Sequence, residues 1–283
     1  MTNPLTTLMS TKELISLDCE TVIFDCRFDL MTPETGQQEY DEGHIEDAIY
    51  VNLDEVMSSP ITSTSGRHPL PSKESFAQFL RSCGVSENTQ LVAYDNSAGL
   101  FAARFWWMCR WIGHESVAIL EGGINAWKQQ GGKVTTEAPN INQKGDLTVK
   151  ESLESVVDVD DVIKASKLKD RIIADVRAAE RFRGEVEPID PVAGHVPNAK
   201  NIPLSDNYDA EGQFLSADQL QQIYRHKLGD YKAQDPILMC GSGVTACLSR
   251  FCIELAGLPP VSVYPGSWSE WIRDPNRGVE TGN

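Results

Sequence analysis

No run of this chain approaches the roughly 18 apolar residues of a membrane span, and no two of its cysteines have CxxC spacing. Basic residues are also scarce. Lysine and arginine number 25 against 41 aspartates and glutamates, giving a net charge of −16 and a pI near 4.7. These shortages exclude, in turn, a helical membrane anchor, a zinc or disulfide framework, and nucleic acid or an anionic membrane as the main partner, because counterion release needs a basic surface. The seven cysteines (Cys19, Cys26, Cys83, Cys109, Cys240, Cys247, Cys252) form an odd set suited to a reducing compartment. The N-terminal residues carry neither a basic head nor an apolar core, so no export signal is read there and the expected location is cytoplasmic.

What remains is an ordinary globular composition, 41% hydrophobic and 23% charged, in 283 residues, enough for about two domains. The two halves repeat. Asp25-Cys26-Arg27 answers Asp175-Val176-Arg177, Gly43-His44-Ile45 answers Gly194-His195-Val196, and Gly122 and Trp127 answer Gly266 and Trp271. The offset holds at about 145 to 150 residues, too steady for chance and far longer than a solenoid period. Strand-length apolar runs at 21–25, 91–94 and 117–120, and again at 172–175, 237–239 and 261–264, alternate with helical patterns at 73–83, 100–112, 124–130, 217–226, 244–256 and 268–273. Ser10 with Glu13 and Ser216 with Gln219 have capping-box spacing and mark helix starts. This alternation implies an α/β fold, each half a mostly parallel sheet with helices on both faces. The expected organisation is a domain at 1–137, a polar linker at 138–155 and a second domain at 156–283.

Ligands in such sheets gather beyond the C-terminal strand ends, and Cys240 lies at one. An apolar run breaks there into Gly241-Ser242-Gly243 and then a helical stretch, so backbone N–H groups and the helix's positive end converge on a thiol and favour its anion. In the first half Asp95 takes the corresponding place. A carboxylate caps a helix well but carries no sulfur, so the nucleophile belongs to the second half and the first is expected to shape the cleft.

With Phe105-Trp106-Trp107-Met108, the stretch Gly122-Gly123-Ile124-Asn125-Ala126-Trp127, and Cys240-Gly241-Ser242-Gly243-Val244-Thr245-Ala246-Cys247, the chain resembles the tandem-domain rhodanese family of sulfurtransferases over nearly its whole length. The resemblance implies two rhodanese-like domains and a Cys240 persulfide that passes its outer sulfur to thioredoxin, to a small thiol or to cyanide. It implies no metal and no organic cofactor; a monomer is the plainer expectation, since the halves already form a pseudo-dimer. Members with Gly-Ser after the cysteine resemble 3-mercaptopyruvate sulfurtransferases, whereas those preferring thiosulfate carry basic residues there. The expected donor is therefore 3-mercaptopyruvate, with thiosulfate the alternative and a non-catalytic binding module a third reading.

By the same likeness Arg181 pairs with the donor's carboxylate, and Gly241, Ser242, Gly243, Val244 and Thr245 line the donor site. The family's second arginine is missing: the loop runs Glu187-Pro188-Ile189-Asp190-Pro191, leaving Arg183 as the expected substitute. Ser242 is implied in a proton relay with a histidine and a carboxylate from the first half. His44 matches that histidine by motif, although His195 in the duplicated position favours a structural role for both; Asp29 is the candidate carboxylate. Arg67-His68 is expected to rim the cleft. Cys247, two helical turns past Cys240, is expected to pack rather than to resolve a disulfide. A phosphatase needs arginine as the sixth residue after the cysteine, where Ala246 stands.

Overall fold

The computed structural model describes residues 5–141, 143–233 and 235–283; residues 1–4, on which most of the export-signal reading rests, lie outside them. The chain divides into two compact units. One comprises Pro71–Leu153 with the residues before Pro60; the other comprises Pro60–Leu70 with Glu154–Asn283. The segment 60–70, lodged in sequence within the first unit, therefore packs with the second.

The first unit contains β1 (Leu8–Met9), α1 (Thr11–Ile15), β2 (Thr21–Asp25), α2 (Thr35–Glu42), β3 (His44–Ile45), β4 (Ile49–Tyr50), α3 (Lys73–Ser82), β5 (Gln90–Tyr94), α4 (Ala102–Trp111), β6 (Val117–Leu120), α5 (Gly123–Gln129) and β7 (Val134–Thr135). Its main sheet has the order β1-β6-β5-β2-β4, all parallel, and β3 pairs with β7 antiparallel. The second unit contains β8 (Ser155–Val156), α6 (Val159–Leu168), β9 (Ile173–Asp175), α7 (Ala179–Phe182), β10 (Lys200–Asn201), α8 (Ala217–Leu228), β11 (Ile237–Met239), α9 (Val244–Leu255), β12 (Ser262–Val263) and α10 (Ser267–Trp271). Its parallel sheet runs β8-β12-β11-β9-β10, the same order strand for strand. The duplication read from the sequence is thus a duplication of topology. Both expected capping boxes form, at α1 from Ser10 and Glu13 and at α8 from Ser216 and Gln219.

Each sheet is buried by aliphatic and aromatic side chains. Val92, Tyr94, Ala118, Ile124 and Trp127 cluster in the first unit, and Ile173, Val196, Ile237, Met239 and Trp268 in the second. The Asp-x-Arg pairs work as struts. Arg27 clamps the Asp25 carboxylate at 2.6 Å and reaches the Gly43 carbonyl at 2.9 Å; Arg177 does the same with Asp175 at 2.6 Å and Gly194 at 2.7 Å. A buried strand end is thereby tied to the loop holding each Gly-His motif. Trp127 and Trp271 donate indole N–H bonds to the carbonyls of Lys133 and Gly278, both at 2.9 Å, so these twins are packing residues. Among the described residues no helix is long and apolar enough to cross a membrane.

Candidate active site

Cys240 follows β11, and Gly243 is the N-cap of α9. The loop between them is shaped from behind. The Cys240 and Gly241 carbonyls accept bonds from the amides of Trp268 (3.0 Å) and Ser269 (2.9 Å) in α10. At the far end of the loop the Gly243 amide donates to Cys240 Sγ at 3.1 Å. Gly243 sits at φ +81°, and a Cβ there would collide with the Pro265 carbonyl. Substituting alanine for Gly243 is therefore expected to lower stability by at least about 1 kcal/mol. It should also slow reactions at Cys240; thermal unfolding and alkylation kinetics check the two effects.

The first unit shows what this turn is built to hold. Asp95 stands in the equivalent place, and its carboxylate accepts the amides of Ser97 (2.8 Å), Gly99 (2.9 Å), Phe101 (2.9 Å) and Ala102 (3.0 Å). Full burial pushes the Asp95 pKa upward, while those four bonds pull it the other way. Every one of them points a donor at the carboxylate. The same turn thus sets an acceptor against backbone amides in both halves, a carboxylate taking four of them in one and a sulfur taking the Gly243 amide in the other.

Ser267 was not anticipated. Its hydroxyl accepts the Cys240 amide at 3.0 Å, donates to the Tyr264 carbonyl at 2.9 Å and lies 4.0 Å from the sulfur. It holds φ +53°, where its twin Gly123 holds +56°. A non-glycine residue in this region costs on the order of 1 kcal/mol or more. The sequence alignment already set Ser267 opposite Gly123, so an unexpected serine at a glycine position was a readable signal.

Ser242 is 5% exposed and bonds to His68 Nδ1 at 2.8 Å. His68 belongs to the segment 60–70, which packs in the same unit as Cys240. His44 requires a correction. Its Nδ1 bonds the Tyr40 carbonyl at 2.8 Å, its Nε2 the Glu137 carbonyl at 3.0 Å, and Tyr40 stacks on its ring at 3.9 Å. His195 repeats this with the Phe182 carbonyl at 2.7 Å and the Phe182 ring at 3.7 Å. Both Gly-His motifs fasten local backbone. Asp29 likewise caps its own turn, accepting the Met31 and Thr32 amides at 2.7 and 2.9 Å.

Two arginines lie against the cysteine loop. A Cβ at Gly241 would come 3.0 Å from Arg67 Nη2 and 3.7 Å from Arg181 Nη2. Arg183 is not a substitute for the missing arginine: Glu185 binds its guanidinium at 2.7 and 2.8 Å at the surface. Arg67 reaches the loop from a part of the chain that no local spacing connects to Cys240. Arg181 bonds Glu187 at 2.6 and 3.2 Å, and Asp190 at 3.5 Å; Arg67 pairs with the other oxygen of Asp190. Arg177 reaches Glu187 at 3.3 Å and stacks on Trp268 at 4.8 Å. Burial works against the charged Arg177, but Asp175, Glu187 and the Cys240 sulfur together hold its pKa above the ordinary value. Burial also opposes ionisation of Glu187, yet Arg181 and the Asp190 and Ile189 amides win and lower its pKa. For Asp190 burial dominates and the shift is upward. Val244 is buried and Thr245 half-buried on the first turn of α9. Cys247 donates to the Gly243 carbonyl at 3.2 Å, and all seven cysteines are free.

A nucleophilic sulfur in an amide cradle, beside a serine–histidine pair and two arginines, can attack an anionic donor and carry a transferred atom. The comparisons agree with that chemistry. The rhodanese-like domain model matches residues 10–130 and 158–274. The chain is 40% identical over 264 residues to a probable 3-mercaptopyruvate sulfurtransferase of Pseudomonas aeruginosa, covering 93% of each chain. It is 34% identical over 269 residues to the putative thiosulfate sulfurtransferase SseB of Mycobacterium tuberculosis, covering 92% of this chain and 90% of the relative. The crystal structure of the 3-mercaptopyruvate sulfotransferase SseA from Escherichia coli superposes with a TM-score of 0.78 at 32% identity, covering 93% of this chain and 98% of that one. Two matched domains, shared topology and relatives spanning both halves settle the matter: the chain belongs to the tandem-domain rhodanese family of sulfurtransferases.

Proposed function

We propose that the protein moves sulfur from 3-mercaptopyruvate to a thiol acceptor through a persulfide on Cys240. The Cys240 thiolate attacks the donor's sulfur, the carbon–sulfur bond breaks, and its electron pair leaves as the enolate of pyruvate. The enolate takes up a proton and departs as pyruvate. The outer sulfur then goes to thioredoxin, a small thiol or cyanide, returning the thiolate; two half-reactions of this kind give ping-pong kinetics. Arg181 and Arg67 bind the donor's carboxylate, Gly243 N–H steadies charge on the sulfur, and Ser242 with His68 supplies the proton at the serine hydroxyl. Seven free cysteines suit a reducing, cytoplasmic setting, and we take the working form to be a monomer.

The observation that carries the reading is the pairing of every guanidinium at the loop. Arg67, Arg177 and Arg181 face Asp190, Asp175 and Glu187. A dianion such as thiosulfate meets no surplus positive charge there, whereas a single carboxylate needs only one seat. The value of kcat/KM for 3-mercaptopyruvate should therefore exceed that for thiosulfate by at least about tenfold, a difference of about 1.4 kcal/mol. Exposure to 3-mercaptopyruvate should add the mass of one sulfur atom, removable by reductant. A reversed donor ratio would transfer the assignment to thiosulfate.

His68→Asn separates the relay from a structural role. Loss of general acid–base help is expected to cut kcat by about 10²-fold with little change in KM. His44→Asn should lower the unfolding temperature and leave kcat nearly intact. Equal kinetic effects of the two substitutions would remove His68 from the mechanism.

A further inference from the structure

The two arginines against the cysteine loop already hold a carboxylate. One oxygen of Asp190 pairs with Arg67 and the other faces Arg181 Nη2 at 3.5 Å, so a single side chain bridges both guanidinium groups. The turn that delivers it is fixed by Glu187, whose Oε1 accepts the Ile189 and Asp190 amides at 3.1 Å each. Glu187 also takes the remaining edge of Arg181. Asp190's side chain is 3% exposed, against 24% for Arg67 and 17% for Arg181. A buried carboxylate is therefore paired with two arginine side chains that remain partly exposed. This is the arrangement a carboxylate donor would adopt on the same two groups.

Building on the sulfur-transfer reading, we propose that Asp190 is the specificity-determining residue of the site: its carboxylate occupies the seat between Arg67 and Arg181 that a carboxylate donor must take, and it gives way as the donor binds. The two acidic side chains of the loop have different tasks. Glu187 is held charged by Arg181 and two amides, and it keeps Arg181 in place. Asp190 faces Arg181 at 3.5 Å, farther than Glu187 at 2.6 Å, and burial outweighs the arginines around it to disfavour its charged form, so it is the more readily displaced. A seat filled by an internal competitor reduces the apparent affinity for any anion by the fraction of time the seat is open. It also selects by charge, because a dianion must approach a seat whose positive charge is already balanced.

The chemistry of Cys240 tests this without any sulfur transfer. Iodoacetate carries a carboxylate and iodoacetamide does not, yet both alkylate the same thiolate by displacing iodide. Their rates are followed at the peptide containing Cys240, since Cys19 is exposed and also reacts. In Asp190→Asn the ratio of iodoacetate to iodoacetamide rates should rise about tenfold over the parent, and in Arg67→Gln it should fall by a similar factor. Asp190→Glu, which restores a carboxylate, should return the ratio towards that of the parent. Asp190→Ser replaces the asparagine variant if the latter does not fold. A ratio unchanged or lowered in Asp190→Asn would overturn the proposal and make Asp190 a brace for the arginines. With 3-mercaptopyruvate as donor, the same substitution should lower KM about tenfold and leave kcat within about twofold. A protein that shows the alkylation shift yet turns over neither donor would refute the sulfur-transfer reading and leave the anion seat standing.

Discussion

Replacing Cys240 with serine is expected to lower kcat/KM at least about 10⁴-fold with every donor, and to abolish the gain of one sulfur on exposure to 3-mercaptopyruvate. The two atoms differ in acidity and in bonding. An alcohol is not ionised near neutral pH, and its oxygen forms no stable bond to a transferred sulfur. The fold should hardly notice the exchange. Serine is the smaller isostere, and its oxygen accepts the Gly243 amide that Sγ now receives at 3.1 Å. Circular dichroism and the unfolding midpoint should therefore match the parent while turnover disappears. Residual sulfur loading in Cys240→Ser would mean that another of the seven thiols carries the chemistry. Position argues against that alternative: Cys240 Sγ accepts the Gly243 amide beside Arg67 and Arg181, whereas the exposed Cys19 lies in the first unit and burial raises the pKa of Cys26, Cys83, Cys109 and Cys252.

The parts of this molecule that the sequence revealed are those in which a residue type acts locally or twice. Capping boxes at Ser10 and Ser216 need only four consecutive residues. The Asp-x-Arg and Gly-His pairs declared themselves by repetition, and the alignment of Asp95 with Cys240 showed that the second half carries a thiol where the first carries a carboxylate. What escaped depends on distance along the chain. Arg67 and His68 sit more than a hundred residues from Ser242, and only folding brings His68 Nδ1 to 2.8 Å from the serine hydroxyl. His44 drew attention because its motif is conspicuous, but a conspicuous motif in a duplicated protein is as much a sign of scaffold as of chemistry. Helix α6 was passed over although Asp158 caps it and accepts the Asp160 and Asp161 amides at 3.0 Å each. A start as acidic as Asp158-Val159-Asp160-Asp161 reads as a solvated loop unless the carboxylate is recognised as a cap. The acidic replacement at 187–190 was visible as a departure from the family pattern. That its carboxylates bind the arginines beside the nucleophile was not.

The duplication also supplies a control that single-domain enzymes lack, because the same lesion can be made in each half. Asp25→Asn leaves the buried Arg27 without its paired carboxylate, Asp175→Asn leaves Arg177 with Glu187 alone, and breaking such a buried pair typically costs about 3–5 kcal/mol. Both variants should lose stability on that scale in denaturant titration. Asp25→Asn is expected to lose slightly more, since the Tyr94 hydroxyl also donates to Asp25 at 2.6 Å. Their kinetic effects should differ. Arg27 bonds Asp25 and the Gly43 carbonyl within its own half. Arg177 also holds Glu187 at 3.3 Å, and Glu187 in turn holds Arg181 at 2.6 Å, so a shift of Arg177 propagates along a chain of charged groups to the donor's seat. Measured where each variant is still folded, Asp175→Asn should lower kcat/KM about tenfold, chiefly through KM, while Asp25→Asn stays within about twofold of the parent. Equal kinetic losses would mean that the strut supports the fold alone, and that Glu187 needs no help from Arg177 to orient Arg181.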